Sequence, residues 1–422
     1  MRGPRRVHVV GAGLAGLSAS LRLAESGVAV VLHEAAPQAG GRCRSYLDAA
    51  LGCRIDNGNH LLIAGNHAAM DYLRRIGASD TLIGPDAAAY DFLDLAGGER
   101  WTVRPNAGRL PWWLFTPSRR VAGTRARDYL GGLSLARAGA DDVVADCFDR
   151  RSLIFRRLWQ PLAVAGLNTE AEQGSAVLLA RLLRESFGAG GAACRPLMPR
   201  EGLSESLIDP ALLRLRALGA ELRLGSRLRA IEFAGERAIA LAFDEGGESL
   251  AADEAVILAV TAPVAARLVP DLAVPDDFRA IVNAHYRIDA PAGAPLFVGL
   301  IGGTAEWVFR KPGVLSVTIS AADRLVDHPA DELAARLWPE VRRAYDLGQA
   351  GMPTWQIVKE KRATFAATPA QQRRRPGTAT RWTNLMLAGD FTATGLPATI
   401  EGAVRSGDAA AARLLQKPWT PG

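Results

Sequence analysis

The chain has 422 residues, a net charge of +6 and 49% hydrophobic residues. This length and balance exclude a largely disordered chain and suit two large domains rather than one. No basic run with interleaved aromatic residues is present, so no nucleic-acid partner is predicted, although an anionic membrane surface stays open as a partner. Four widely spaced cysteines show neither metal-ligand pairing nor a disulfide framework, so no metal site is predicted and a reducing compartment is favoured.

The first predicted elements form a βαβ unit. A strand over residues 7–10 runs into the turn Gly11-Ala-Gly13-Leu-Ala-Gly16, and the following helix leads to a second strand that Glu34 closes. The glycines permit a tight turn, a close approach of the backbone to a pyrophosphate and close helix packing, while the acid can accept hydrogen bonds from ribose hydroxyls. The residues expected to bind a dinucleotide here are Gly11, Gly13, Ala15, Gly16 and Glu34.

Beyond this unit the sequence pattern changes three times. Residues 69–195 favour mainly helical structure. The segment from residue 201 mixes one helix with apolar strands, and residues 262–375 form a further unit of three short strands and a helix. The order suggests an interleaved two-domain protein. Helices are predicted over 17–26, 68–76, 176–187, 203–218, 331–345 and 400–415, and strands over 28–33, 221–224, 228–233, 238–243, 255–260, 296–301, 306–309, 315–319 and 385–388.

Two further motifs lie near opposite ends of the chain. Gly40-Gly41-Arg42 follows Glu34 after a short loop, and Leu387-Ala-Gly389-Asp390 precedes Thr399-Ile400-Glu401-Gly402. Together with the glycine turn, they resemble the FAD-binding motifs of the flavin amine oxidase and phytoene desaturase superfamily. The resemblance implies that Arg42 contacts the cofactor and that Asp390 bonds its ribityl chain. It also implies that the helix N-terminus at Ile400 faces the flavin and stabilises negative charge on it.

The same resemblance implies further FAD contacts. Gly41 and Gly389 belong to the turns, Asn59 and His60 belong to a loop beside the isoalloxazine, and the backbone of Leu228 contacts adenine unless that residue is only part of a strand. No cysteine lies near the C-terminal motif, so non-covalent FAD is expected. Threonine occupies the position where amine oxidases commonly have a tyrosine, which disfavours a simple amine as the substrate.

The predicted fold class is α/β, with a discontinuous Rossmann-like FAD-binding domain and an interleaved α+β substrate domain. The FAD-binding domain is assigned residues 1–68, 196–262 and 378–422, and the substrate-binding domain residues 69–195 and 263–377. No second glycine fingerprint stands between a strand and a helix, so no separate NADPH site is predicted. The electron donor is left open between a partner and transient pyridine-nucleotide binding.

Several segments, spread over most of the chain, resemble the hydroxysqualene dehydroxylase family within that superfamily. They are residues 56–62, 167–169, 302–309, 359–365 and 395–402. The resemblance implies an FAD-dependent oxidoreductase that removes the allylic hydroxyl of hydroxysqualene to give squalene, in bacterial hopanoid synthesis. An allylic position suits this reaction because loss of protonated hydroxide leaves a resonance-stabilised cation. The alternatives are a carotenoid desaturase-like or isomerase flavoenzyme acting on another isoprenoid, and a non-catalytic FAD- or lipid-binding protein.

His60, Lys359 and Glu360 are the catalytic candidates. His60 either donates or relays the proton for the leaving hydroxyl, or it only shapes its loop. Lys359 and Glu360 form a charged cluster with Lys361. A lysine of this cluster could hold a water beside the flavin, as one does in amine-oxidase relatives, or the cluster could be a solvated face.

Two aromatic pairs suit a long-chain isoprenoid alcohol as substrate. Trp307 and Phe309 alternate on a predicted strand, so both point to one face, where they wall a substrate pocket or pack in the core. Trp112 and Trp113 lie in an apolar segment flanked by arginines that either dips into a membrane interface or is buried. No signal peptide or spanning segment is recognised, so a cytoplasmic protein is expected, peripheral at the inner face of the cytoplasmic membrane if the segment is exposed.

Overall fold

The computed structural model describes residues 3–416 and Trp419. Its strands are β1 (Arg6–Val10), β2 (Ala29–Glu34), β3 (Ser45–Asp48), β4 (Cys53–Asp56), β5 (Leu62–Ile63), β6 (Leu82–Ile83), β7 (Tyr90–Asp94), β8 (Arg100–Val103), β9 (Pro196–Pro199), β10 (Glu221–Leu224), β11 (Leu228–Ala234), β12 (Arg237–Phe243), β13 (Gly246–Ser249), β14 (Glu254–Leu258), β15 (Phe278–Tyr286), β16 (Phe297–Ile301), β17 (Trp307–Lys311), β18 (Val314–Ile319), β19 (Trp355–Phe365) and β20 (Leu385–Leu387). Its helices are α1 (Leu14–Glu25), α2 (His67–Arg75), α3 (Gly131–Ala136), α4 (Gln160–Leu167), α5 (Ala176–Glu185), α6 (Asp209–Ala217), α7 (Ala262–Leu268), α8 (Ala330–Ala344), α9 (Pro369–Arg373) and α10 (Ile400–Gln416).

A five-stranded parallel sheet has the strand order β10-β2-β1-β14-β20. Its central strands β1 and β14 are almost wholly buried, because apolar residues fill both faces of a covered parallel sheet. The glycine turn after β1 leads into α1, which packs against α10. The predicted Rossmann-like unit is confirmed, although α1 begins at Leu14 and not at residue 17.

A seven-stranded mixed sheet has the strand order β19-β15-β18-β17-β16-β7-β8. One face packs against α8 through a core that includes Val282, Val308 and Val317. The prediction that residues 69–195 are mainly helical was wrong for β7 and β8, which pair at one edge of this sheet. The long strands β15 and β19, at the other edge, were not predicted at all.

The two sheets draw on different parts of the chain. All strands of the parallel sheet come from residues 1–68, 196–262 and 378–422, and all strands of the seven-stranded sheet from residues 69–195 and 263–377. This segregation supports the two-domain division, which stays a proposal. Residue 68 lies inside α2, however, and the N–H groups of Ala68 and Ala69 donate to the Glu401 carboxylate of α10 at 3.1 and 2.8 Å. All of α2 therefore belongs with the nucleotide side, and the outer limits, residues 1 and 422, lie outside the described residues.

Candidate active site

The glycine turn after β1 forms one end of a cavity between the two sheets. Gly11 has a φ of +107°, and a Cβ atom there would lie 2.3 Å from the carbonyl oxygen of Ala259. A Cβ atom on Gly16 would lie 1.8 Å from the carbonyl oxygen of Gly11. At Gly13 an added Cβ would meet no atom within 4 Å, because the backbone faces the cavity. The turn therefore leaves the N-terminus of α1 open to this space, as phosphate binding requires.

Glu34 lies beside this turn at the end of β2. Its Oε2 accepts a hydrogen bond from the N–H of Ala12 at 2.8 Å, and its Oε1 accepts one from the N–H of Ala36 at 2.9 Å. These two bonds fix the carboxylate at the cavity wall. Each oxygen keeps a lone pair that can accept a further hydrogen bond from a ligand hydroxyl.

The cavity has a volume of about 920 Å³ and reaches from the glycine turn to the seven-stranded sheet. Gly16 does not line it and instead lies behind the turn, where only hydrogen fits. The motifs from the two ends of the chain thus meet around one space. The predicted cofactor residues that line it are Gly11, Gly13, Ala15, Glu34, Gly41, Arg42, Asn59, His60, Leu228, Gly389, Asp390 and Ile400.

Arg42 and Asp390 form an ion pair at the cavity wall. The Nη2 of Arg42 donates to Oδ1 of Asp390 at 2.8 Å, and its Nη1 donates to the carbonyl oxygen of Ala363 at 2.6 Å. The charge of Asp390 raises the pKa of Arg42 against the opposing effect of burial, and Glu360 adds to the rise. The Arg42 side chain still has 38% of its surface accessible because it borders the cavity. Its guanidinium can therefore also contact a ligand.

Arg375 holds the turn that carries Asp390, and sequence analysis did not single it out. Its buried guanidinium donates to the carbonyl oxygens of Asp390 at 3.0 Å and Leu396 at 2.7 Å, and also to that of Thr392. Burial lowers the pKa of Arg375 to about 10, so the side chain stays charged at neutral pH. No sequence motif marks this residue, because most of its partners are backbone carbonyl groups.

Asn59 presents an unpaired acceptor beside the same cavity. Its Nδ2 donates to the hydroxyls of Ser316 at 2.7 Å and Thr318 at 2.9 Å. Its buried Oδ1 has no hydrogen-bond partner among the described groups. A buried carbonyl is costly without a donor, so a ligand N–H is expected here. A phosphate-binding turn, an acid for ribose hydroxyls, a charged pair and an acceptor for a ring N–H together fit FAD.

His60 follows Asn59 and lines the cavity. Burial, reinforced by the positive charge of Arg42, lowers the pKa of His60 to about 4. The imidazole is therefore neutral at pH 7 and can donate one ring N–H in a hydrogen bond. A neutral ring can relay a proton between its two nitrogens, so of the two predicted roles the relay suits this state, and the role of His60 stays a prediction.

The charged cluster on β19 divides between two faces of the strand. Glu360 lines the cavity, on the face that holds the guanidinium of Arg42. Lys359 donates to the carbonyl oxygen of His328 instead, and Lys361 forms an exposed ion pair with Asp327 at 2.8 Å. Successive strand residues point to opposite faces, so the two lysines lie away from the cavity. The structure thus brings Glu360, but not Lys359, to the other candidate site residues.

The end of the cavity farther from the glycine turn has a mainly apolar wall. Trp307 and Phe309 line it. The ring centroid of Trp307 lies 5.5 Å from that of Phe92, and the ring centroid of Phe309 lies 6.1 Å from that of Phe297. An apolar cavity with a few polar groups suits a hydrocarbon that carries one hydroxyl. The other apolar lining residues include Tyr90, Leu162, Leu182 and Phe187, and the polar groups of this wall include Asn168, Thr318, Ser320 and Thr364.

The two tryptophans of the arginine-flanked segment have different environments. Trp112 is 64% exposed, whereas Trp113 is 8% exposed and packs edge-to-face on Tyr129, with ring centroids 5.4 Å apart. Of the two predicted alternatives, burial therefore holds for Trp113, which belongs to the core, and membrane contact stays open for Trp112. None of the helices in residues 3–416 is long and apolar enough to cross a bilayer.

Comparison with known proteins agrees with this geometry. Residues 14–415 match the family of flavin containing amine oxidoreductases. The chain is 50% identical to a hydroxysqualene dehydroxylase of Rhodopseudomonas palustris, over 97% of this chain and 98% of that protein. It is 47% identical to a hydroxysqualene dehydroxylase of Sinorhizobium fredii, over 99% of this chain and all of that protein.

More distant relatives share the fold. A probable zeta-carotene desaturase of Synechococcus elongatus is 25% identical over 97% of this chain and 98% of its own length. The structure of a cyclohexylamine oxidase from Brevibacterium oxydans superposes with a TM-score of 0.67 at 17% identity, covering 98% of this chain and 99% of that one. The predicted fold class and the FAD cofactor are thereby confirmed. The chain belongs to the flavin containing amine oxidoreductase family and, within it, to the hydroxysqualene dehydroxylases.

Proposed function

We propose that this protein uses non-covalently bound FAD to reduce hydroxysqualene to squalene. The observation that carries the proposal is the full-length similarity to hydroxysqualene dehydroxylases. The cavity supports it, because a nucleotide-binding end opens directly into an apolar end with few polar groups. A small amine substrate would not need so large an apolar wall.

The reaction replaces a hydroxyl group with a hydrogen atom. The C–O bond breaks, the oxygen leaves as water after it takes up a proton, and the allylic carbon receives a hydride. FAD supplies that hydride when it is bound and reduced. The turn at Gly13 and the Arg42–Asp390 pair bind the cofactor, while Trp307 and Phe309 hold the hydrocarbon and exclude water that would otherwise trap the cation. His60 contributes a neutral N–H and Glu360 balances the charge of Arg42.

Cys43 is the cysteine nearest to these groups, and its chemistry favours non-covalent FAD. It lines the cavity, and burial raises the pKa of its thiol to about 12. A thiol in that state is a poor nucleophile, since the thiolate is the reactive form. Acid precipitation should therefore release the flavin into the supernatant. Flavin that stays with the precipitated protein would contradict this proposal.

The test of the reaction uses the purified, FAD-loaded protein under anaerobic conditions. After chemical reduction of the flavin, addition of hydroxysqualene should restore the oxidised absorbance and yield one squalene for each flavin. The oxidised protein should give no reduction of its flavin with phytoene. Reduction by phytoene, with no squalene from hydroxysqualene, would favour the desaturase-like alternative.

We also propose that the protein takes up its substrate from an anionic membrane surface. Residues 104–137 contain seven arginines and a single acid, Asp128, so their charge complements anionic lipid. Large apolar side chains are exposed on adjoining short segments of this region: Leu110, Trp112, Phe115, Leu130 and Leu133. The five residues are here called the apolar patch.

The segment that precedes Leu110 of the apolar patch is hydrogen-bonded to a segment that follows a cavity-lining residue. The N–H of Gly191 donates to the carbonyl oxygen of Asn106 at 2.8 Å, and the N–H of Ala192 donates to that of Ala107 at 3.1 Å. These bonds join the base of the patch to the chain that follows Phe187, which lines the cavity. We propose that a membrane-dissolved substrate enters the cavity near this junction.

Flotation with vesicles that contain anionic lipid tests the membrane proposal. The double variant Trp112→Ser/Phe115→Ser should lose most of its binding, whereas Leu213→Ser should retain it. Leu213 is a matched control because it is 64% exposed on α6, outside the apolar patch. Equal flotation of the double variant and the wild type would refute the proposal.

A further inference from the structure

Glu306 immediately precedes β17 and has no role in the chemistry described so far. Its Oε2 accepts a hydrogen bond from the N–H of Ser320 at 2.8 Å, which holds the carboxyl beside the hydroxyl of the same residue. Ser320 is 4% exposed and lines the substrate end of the cavity. The serine hydroxyl therefore connects this carboxyl to the space where a substrate would lie.

The charged groups around Glu306 are paired with other partners. Glu170 and Arg324 face it, and they form an ion pair with each other at 3.3 Å. On the preceding residues, Glu340 accepts from the N–H of Thr304 at 3.0 Å, and Arg336 donates to the Thr304 hydroxyl at 2.8 Å. Burial raises the pKa of Glu306 to about 7, against the opposing effect of its hydrogen bonding to Ser320. A large share of this carboxyl consequently carries a proton at neutral pH.

The cavity wall beside Ser320 has several polar side chains close together. Asn168 accepts from the N–H of Ala321 at 2.7 Å and donates to the hydroxyl of Thr364 at 2.9 Å. Asn168, Ser320 and Thr364 all line the cavity. A hydroxyl in the middle of a hydrocarbon chain would find its hydrogen-bond partners here and not among the aromatic side chains.

We propose that Glu306, acting through the hydroxyl of Ser320, supplies the proton that lets the substrate hydroxyl leave as water. The proposal rests on the proposed function. The Ser320 proton passes to the substrate oxygen while the Glu306 proton passes to the serine oxygen, and the C–O bond breaks. The carbon receives a hydride, which reduced FAD would supply when bound, and the Glu306 carboxylate regains a proton from solvent. Ser320 is the catalytic residue that touches the substrate, and Glu306 acts through it.

Single-turnover reoxidation of the reduced holoenzyme by hydroxysqualene tests this proposal. In the wild type the rate should fall as the pH rises through about 7, because the acid form of Glu306 is lost. Glu306→Gln should be slower by at least about 100-fold, as expected for loss of a general acid, and should lose this pH dependence. Glu306→Asp should retain part of the rate and the pH dependence. Glu245→Gln, which changes an exposed acid in the turn between β12 and β13, should stay within about twofold of the wild type.

A second measurement does not depend on turnover. The infrared spectrum of the oxidised holoenzyme should contain a protonated-carboxyl band that disappears as the pH rises through about 7. The band should be missing in Glu306→Gln. Absence of that band from the wild type at pH 6 would overturn the proposal, as would a Glu306→Gln variant with the rate and pH profile of the wild type. If Glu306→Gln does not fold, Ser320→Ala must show the large loss of rate. A wild-type protein that makes no squalene overturns the proposed function, whereas squalene formation with equally active variants overturns only the proton relay.

Discussion

The two ends of the cavity are built from different kinds of groups. At the nucleotide end, the backbone of the glycine turn, the carboxylate of Glu34 and the Arg42–Asp390 pair present hydrogen-bonding groups. At the substrate end, Trp307 and its apolar neighbours form a wall that is interrupted by a few polar side chains. The first end is defined by backbone positions, and the second by the volume of side chains.

This difference determines how each end should fail. A side chain added at the nucleotide end fills the space of the cofactor or collides with the fold, so small changes should have all-or-none effects. A side chain shortened at the substrate end leaves the cofactor in place and loosens only the hold on the hydrocarbon, so the effects should be graded.

The largest effects should come from two neighbouring glycines. In Gly13→Val the new side chain points into open cavity space, so the protein should fold but purify without FAD. In Gly16→Val the side chain would meet the carbonyl of Gly11 inside the turn, so the fold itself should fail. Circular dichroism and flavin content measure the two outcomes. A Gly13→Val protein that purifies with one FAD per chain would show that Gly13 does not face the cofactor.

As the pH falls, the nucleotide side should lose stability and unfold before the substrate side. Burial lowers the pKa of His8 to about 4 and that of His33 to about 3, and these rings lie in the parallel sheet with nitrogens 3.2 Å apart. On the substrate side, burial lowers the pKa of His285 to about 4. An unfolded histidine titrates near 6.5, so the folded state loses stability as the pH falls from about 6.5 toward 3, by an amount on the order of a few kcal/mol.

Two fluorescence signals report on the two sides separately: the release of flavin reports on the nucleotide side, and tryptophan emission reports mainly on the substrate side. Most tryptophans lie in the substrate segments, the exceptions being Trp382 and Trp419. Flavin should be released at a higher pH than the one at which tryptophan emission changes. The double variant His8→Gln/His33→Gln should shift release to lower pH, and His285→Gln should not. Tryptophan changes that precede flavin release would reverse the order of stability proposed for the two sides.

The same contrast explains how far the sequence could predict the site. Gly13 and Glu34 were found because their chemistry lies in a local motif with fixed spacing. Arg375 was missed because its carbonyl partners leave no trace in residue types. Strand β15 was missed although Ala280, Val282, Ala284 and Tyr286 alternate along it on the core face, because two of these four residues are alanines and give only a weak hydrophobic signal. Which face of β19 holds Glu360 depends on strand register, and that is set by pairing with a distant segment.

Trp307→Leu should give a graded effect at the substrate end. The smaller side chain leaves part of the wall unfilled and the hydrocarbon less well held, so kcat/KM for hydroxysqualene should fall about tenfold, or about 1.4 kcal/mol. FAD content should not change, because Trp307 packs against Phe92 and not against the nucleotide end. Simultaneous loss of FAD would mean that the two ends are not independent.

The smallest effects should come from adjacent residues of β19. Glu360→Gln removes the negative charge that faces Arg42, and a partly exposed charge partner is worth about 0.5–1 kcal/mol, so turnover should fall about two- to fivefold. Lys359→Met changes the opposite face, where the ammonium donates to the carbonyl of His328, and turnover should stay at the wild-type level. Steady-state rates at saturating substrate measure both. A larger loss in Lys359→Met than in Glu360→Gln would show that the charge balance of the cavity depends on the outer face of the sheet, and the separation of the two faces would then be wrong.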